Sequence, residues 1–150
     1  MTTIPVRDGP QQPWVDRVVA ATVAVVAMAC TFALARIAPD ARGYDTHVQL
    51  GMPRCSWPLL YGIPCPTCGA TTAACHVVHG NLIRGLVAHP FGALLVASGI
   101  VLGLMALWCL LRGRSFFDLC LQLPLARLLI GGTALLLLSW LYKYLTFTPP

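Results

Sequence analysis

Three cysteines cluster in the stretch "CSWPLLYGIPCPTCG", at positions 55, 65 and 68. Sulfurs at this spacing support three kinds of chemistry. Thiolates two residues apart, Cys65 and Cys68, chelate a soft ion, and Cys55 can add a third sulfur with His76 or His47 closing a tetrahedral set around zinc or another soft metal. The same thiols also suit disulfide exchange, with Cys65 and Cys68 as the dithiol and Cys55 as the exchanging partner. A helix beginning near Cys68 would then offer its N-terminal amides to a thiolate. In the third reading the sulfurs staple or pack a proline-rich loop. A single C-x2-C leaves all three open. Haem attachment fails as a motif match, because Gly69 stands where C-x-x-C-H needs histidine.

The elements around these residues must fix a bent backbone. Pro64 and Pro66 bracket Cys65 and hold it extended. From about Gly69 to His79 the pattern predicts a short helix with Cys68, Thr72, Cys75 and His79 on one stripe, and Gly80 is a natural stop. About 11 residues at ~1.5 Å each cover roughly half of a bilayer's hydrocarbon, so this helix is expected to be re-entrant or interfacial. Cys75 and His79, one turn apart, could make a separate two-ligand face. Cys30, Cys109 and Cys120 read as packing.

The rest of the chain is membrane-like. It is 57% hydrophobic and 10% charged, with no glutamate at all, where a soluble domain carries about a quarter charged residues. Apolar runs at Val18–Ala35, Phe91–Leu111 and Leu128–Phe147 contain no charge except Lys143, which must snorkel or face protein. The expectation is an all-α membrane protein: one membrane domain over residues 1–150, with three transmembrane helices at about 17–37, 87–111 and 126–147. The Cys/Pro loop and its single short helix occupy 53–80. Pro149-Pro150 ends the third span. A cleaved signal peptide is the competing reading of the first run, but that run exceeds the usual apolar core of about 7–15 residues.

Ten scattered basic residues form no cluster that would read nucleic acid, so the lipid bilayer is the expected partner. With the N-terminus inside, Arg7, Arg17, Arg112, Arg114 and Arg127 are cytoplasmic and Arg36, Arg42, Arg54 and Arg84 are not, a margin of one for that orientation. The loop would then face an oxidising side, where disulfides persist. Gly99 and Gly103, with Gly131-Gly132, predict close packing between the second and third spans, or self-association or a membrane-complex partner.

Cys55, the run GIPCPTCGATTA and the later GN and HPFG elements together resemble the bacterial membrane proteins grouped as domain of unknown function 2752. That family's signature is an upstream cysteine, G-[IL]-P-C-P-x-C-G-x-T-R, a [RK]-G-[DN]-[LF] turn and an N-P-[LF]-G helix start. Here Thr72, His79 and His89 stand where the family usually has Arg, Arg or Lys, and Asn. The resemblance implies a bacterial inner-membrane location and brings no activity. The residues favour an accessory or binding subunit holding a metal or partner at the CPTCG loop, with a thiol-disulfide oxidoreductase as the alternative.

Overall fold

The apolar runs fold as three long helices, each long and apolar enough to cross a membrane: α1 (Pro13–Ala35), α5 (Pro90–Arg112) and α7 (Leu125–Thr146). The structure, a computed structural model, describes residues 13–147; Arg7 and the Pro149-Pro150 pair lie outside the described residues. Between the long helices come a 3-10 turn (Thr46–Leu50) and the short helices α2 (Ser56–Tyr61), α3 (Ala70–Val78), α4 (Leu82–Ala88) and α6 (Phe116–Leu121). The described residues contain no strand. Where the sequence suggested one short helix, the chain makes four. α2, α4 and α6 each run only six or seven residues, too short for any periodicity to announce them.

α1 and α5 pack as a pair through small residues. Ala20, Ala24, Ala106 and Cys109 are buried with Phe116, and a methyl group added at Gly103 would collide with the Ala27 Cβ. Small side chains are what allow helix backbones to approach this closely in lipid. The glycine face of α5 is therefore turned at Gly103 to α1, while α5 meets α7 through the Phe91–Ser139 contact. A methyl added at Gly99, Gly131 or Gly132 would meet nothing within 4 Å.

α7 is held at its C-terminal end instead. Ser139 and Lys143 are its buried residues, and much of its remaining surface is exposed. Ser139 Oγ accepts from the Phe91 amide at 3.0 Å, and Trp140 Nε1 donates to the Pro64 carbonyl at 3.0 Å. Tyr142 Oη donates to the Val87 carbonyl at 3.0 Å, and Lys143 Nζ to the Gly43 carbonyl at 3.1 Å. Four side chains within little more than one turn thus satisfy backbone groups of the loop, of α4 and of the first turn of α5, which a bilayer would leave without water. Lys143 faces protein, one of the two outcomes open to a lone charge in an apolar run.

A second tie closes the opposite end of the α1–α5 pair. Asp16, in the first turn of α1, is buried and accepts from Ser115 Oγ (3.1 Å), the Phe116 amide (3.2 Å) and the Phe117 amide (2.8 Å). It occupies the N-terminus of α6, where orphan amides and the helix dipole favour a carboxylate.

Candidate functional site: a thiol-lined cavity

The proline-rich segment turns back on itself at Gly62, whose φ of 68° is in the left-handed region, after α2 has carried the chain away from Cys55. This return brings Cys65 beside Cys55: the Cys55 thiol donates to the Cys65 sulfur at 3.5 Å. Thr67 Oγ1 lies 3.7 Å from the Cys65 sulfur. The close sulfur pair is therefore Cys55 with Cys65, ten residues apart, rather than the two cysteines of the C-x2-C. Cys68 is joined to Cys65 by a backbone turn, its amide donating to the Cys65 carbonyl at 2.9 Å.

All three cysteines line one cavity of about 300 Å³, together with Asp45, His47, Met52, Thr67 and the first residues of α3. The 3-10 turn builds the far wall. Thr46 is buried against Thr72, their hydroxyls 2.8 Å apart, and also accepts the Asp40 amide at 2.9 Å. Asp45 adopts φ 62°, the only positive φ outside glycine among the described residues. Its carboxylate accepts the Cys55 amide at 3.4 Å, and His47 Nε2 is 3.0 Å from the Pro53 carbonyl. A left-handed aspartate at a cleft is an uncommon conformation that surrounding contacts must impose.

His89 fixes the loop from below. It is fully buried; its Nδ1 accepts the Gly92 amide at 3.1 Å, which leaves Nε2–H to donate to the Pro66 carbonyl at 3.2 Å. One imidazole thus caps α5 and anchors the turn between Cys65 and Cys68. His89→Ala is expected to lower stability by about 2–4 kcal/mol, because it strips two partners and leaves a cavity. Asparagine keeps the cap but does not reach Pro66, so His89→Asn should lose roughly half as much; thermal unfolding of both variants in detergent checks the order.

The thiols differ in environment. Burial pushes the Cys68 thiol up to about 12, with Cys65 adding to the effect and Lys143 opposing it. Burial also raises Cys55, its neighbour Cys65 reinforcing the shift while a backbone hydrogen bond from Trp57 works against it. The helix that follows begins at Ala70 behind a left-handed Gly69, so Cys68 sits ahead of the helix cap, and burial outweighs any help from the α3 amides.

The other sequence candidates fall elsewhere. His76 lies on α3 and is not among the residues lining the cavity; burial, Arg84 and His79 lower its pKa. Cys75 is completely buried and donates to the Ile37 carbonyl at 3.2 Å, beside Leu34 at 3.6 Å, so it satisfies the end of α1. His79 Nδ1 is 2.8 Å from the Cys75 carbonyl, a bond within its own helix. Of the Cys68, Thr72, Cys75 and His79 stripe, Thr72 and Cys75 lie on the packed face of α3, Cys68 is buried ahead of the helix, and His79 is exposed at its end. Among the described residues no three His, Cys, Asp or Glu side chains converge as a set that could hold a metal ion. Met52 was missed in the sequence because a lone methionine outside a motif gives no signal.

The fold and the cavity together define a helical membrane protein with three candidate spans and a cysteine-lined loop braced by the third. Residues 55–110, from the first cavity cysteine into α5, match the model of the family described as "Protein of unknown function (DUF2752)". Neither the curated proteins nor the solved structures give a match.

Proposed function

We propose that this membrane protein works through a reversible dithiol, Cys55 with Cys65, that exchanges with a partner disulfide. The observation that carries this reading is the 3.5 Å sulfur–sulfur approach across ten residues of chain, inside a cavity. To form a disulfide the two sulfurs would have to close from there to about 2.05 Å. In the forward step the two thiols lose two electrons and two protons, and the partner disulfide leaves as two thiols.

An accessory subunit holding zinc at the loop needs four donors, and these two sulfurs are the pair the fold brings into contact. The dithiol needs no more than the pair. An N-terminus inside a bacterial inner membrane, which would put the loop on the oxidising side, accords with both the one-residue arginine margin and this chemistry. The uncovered Gly99, Gly131 and Gly132 offer faces for a second copy or a membrane partner.

The test is a redox titration of the full chain in glutathione buffers, followed by acid quench and thiol mapping. The wild type should show one two-electron transition assigned to Cys55 and Cys65. Cys55→Ser and Cys65→Ser should each abolish it, and Cys68→Ser should leave it. In the reduced protein Cys68 should be the slowest of the three to alkylate at pH 8, since its thiol stays protonated there. A transition that survives Cys55→Ser, or no transition at all, overturns the proposal.

A further inference from the structure

We infer that the reduced cavity is a binding site for a soft monovalent metal ion of the copper(I) class, held between the Cys55 and Cys65 sulfurs, with Met52 among the residues lining the same cavity. Four sulfur-bearing residues, Met52, Cys55, Cys65 and Cys68, line this one cavity. Thiolate and thioether donors select copper(I), whereas carboxylate and carbonyl donors suit harder ions.

The geometry of the pair supports it. Two thiolates on one ion at ~2.3 Å stand about 3.8 Å apart at a tetrahedral angle and ~4.0 Å at a trigonal one. The observed 3.5 Å therefore needs to open by a few tenths of an ångström. The lack, among the described residues, of three converging His, Cys, Asp or Glu side chains gives zinc no ready donor set. It does not bear on an ion satisfied by two thiolates and a thioether.

Charge also fits. Two thiolates around a monovalent cation carry one net negative charge, and Lys143, with its ammonium on the Gly43 carbonyl, is close enough to Cys68 to act electrostatically on that wall. No carboxylate pairs with Lys143 among the described residues, whose one salt bridge is Arg42 with Asp40. Each ion bound displaces the two thiol protons, so affinity should rise with pH. Cys68 is buried in the wall of the same cavity, while Cys55 and Cys65 are the two whose sulfurs the fold brings into contact, so the ion is assigned to that pair.

The inference rests on the reduced state of the dithiol described above, and one experiment separates the two. The full chain, reduced and anaerobic in detergent, competes with bicinchoninate for copper(I), read by loss of the coloured complex. One equivalent should transfer, and disulfide-oxidised wild type, identical in sequence and fold, should take none. Cys55→Ser or Cys65→Ser should weaken binding by at least about 100-fold, and Met52→Leu by roughly 10-fold. Cys68→Ser and Cys75→Ser should stay within about twofold, the scatter expected where no ligand is lost. Reduced wild type that fails to compete, or binding retained in Cys55→Ser, overturns the site. A chain that binds copper(I) yet never forms the disulfide upholds the site and refutes exchange; one that oxidises reversibly but ignores copper(I) does the reverse.

Discussion

Gly69→Ala is expected to disrupt the cysteine loop, at a cost of about 3–5 kcal/mol, because it meets two independent penalties. Its φ is 90°, where an L side chain is strained, and the added methyl would lie 2.6 Å from the Gly43 carbonyl oxygen, a backbone atom with no easy retreat. The same methyl would come within 3.4 Å of Lys143 Nζ and of the Ala88 carbonyl. Gly43, Gly69 and the end of α7 are thus one contact, and pushing it apart undoes the bracing of the loop by the third span. Gly80 is the control: its φ is 80°, yet nothing lies within 4 Å of its added methyl. Gly80→Ala should therefore cost only about 1 kcal/mol, the conformational part alone. Thermal midpoints in detergent, with the alkylation rate of Cys68 as a local probe, distinguish the two. Equal losses would mean that the loop is not seated on Gly43.

The second large effect is expected at the other end of the molecule. Asp16→Ala removes the acceptor of three hydrogen bonds at once and leaves the Ser115 hydroxyl and two α6 amides without it. Buried donors that lose a charged acceptor cost about 1–3 kcal/mol each when water cannot replace it. Part is recovered by relaxation at the helix end, so about 3 kcal/mol in total is expected. Asp16→Asn keeps one acceptor oxygen and should lose roughly half of that. Unfolding in a denaturing detergent reads both, and a loss under about 0.5 kcal/mol for Asp16→Ala would mean that α6 does not depend on α1.

The three helices long and apolar enough to cross a membrane were readable because lipid imposes one unambiguous pattern, a long run without charge; α5 and α7 begin and end within three residues of those runs, while α1 begins five residues earlier, at Pro13. The bracing was readable only in part. Lys143 announced itself as a lone charge among leucines, but its partner, Gly43, lies a hundred residues away and carries no side chain to suggest it. Asp16 and Ser115 are as distant, and neither stands in a motif.

The cavity shows the same division. The segment holding Cys55, Cys65 and Cys68 stood out by residue type, and the three do share one cavity. Which two sulfurs meet was not readable, because the answer depends on α2 and the left-handed turn at Gly62 folding the chain back, neither of which C-x2-C spacing encodes. The polar stripe of α3 was readable as a stripe, but which way it faces was not: in a helix surrounded by apolar surface, Thr72 and Cys75 lie inside, where their polar atoms find partners. His76 drew attention by its type, while Met52, with no motif around it, drew none.

The central claim is that Cys55 and Cys65 form a working pair. It is tested most directly by the intact mass of the purified chain after alkylation, with and without prior reductant and with and without a strong chelator, the modified residues then mapped. The account predicts that under oxidising conditions two thiols are protected, that reductant releases both and chelator neither, and that they map to Cys55 and Cys65. Protection of Cys65 together with Cys68, or full reactivity of Cys55 and Cys65 in every condition, would contradict it.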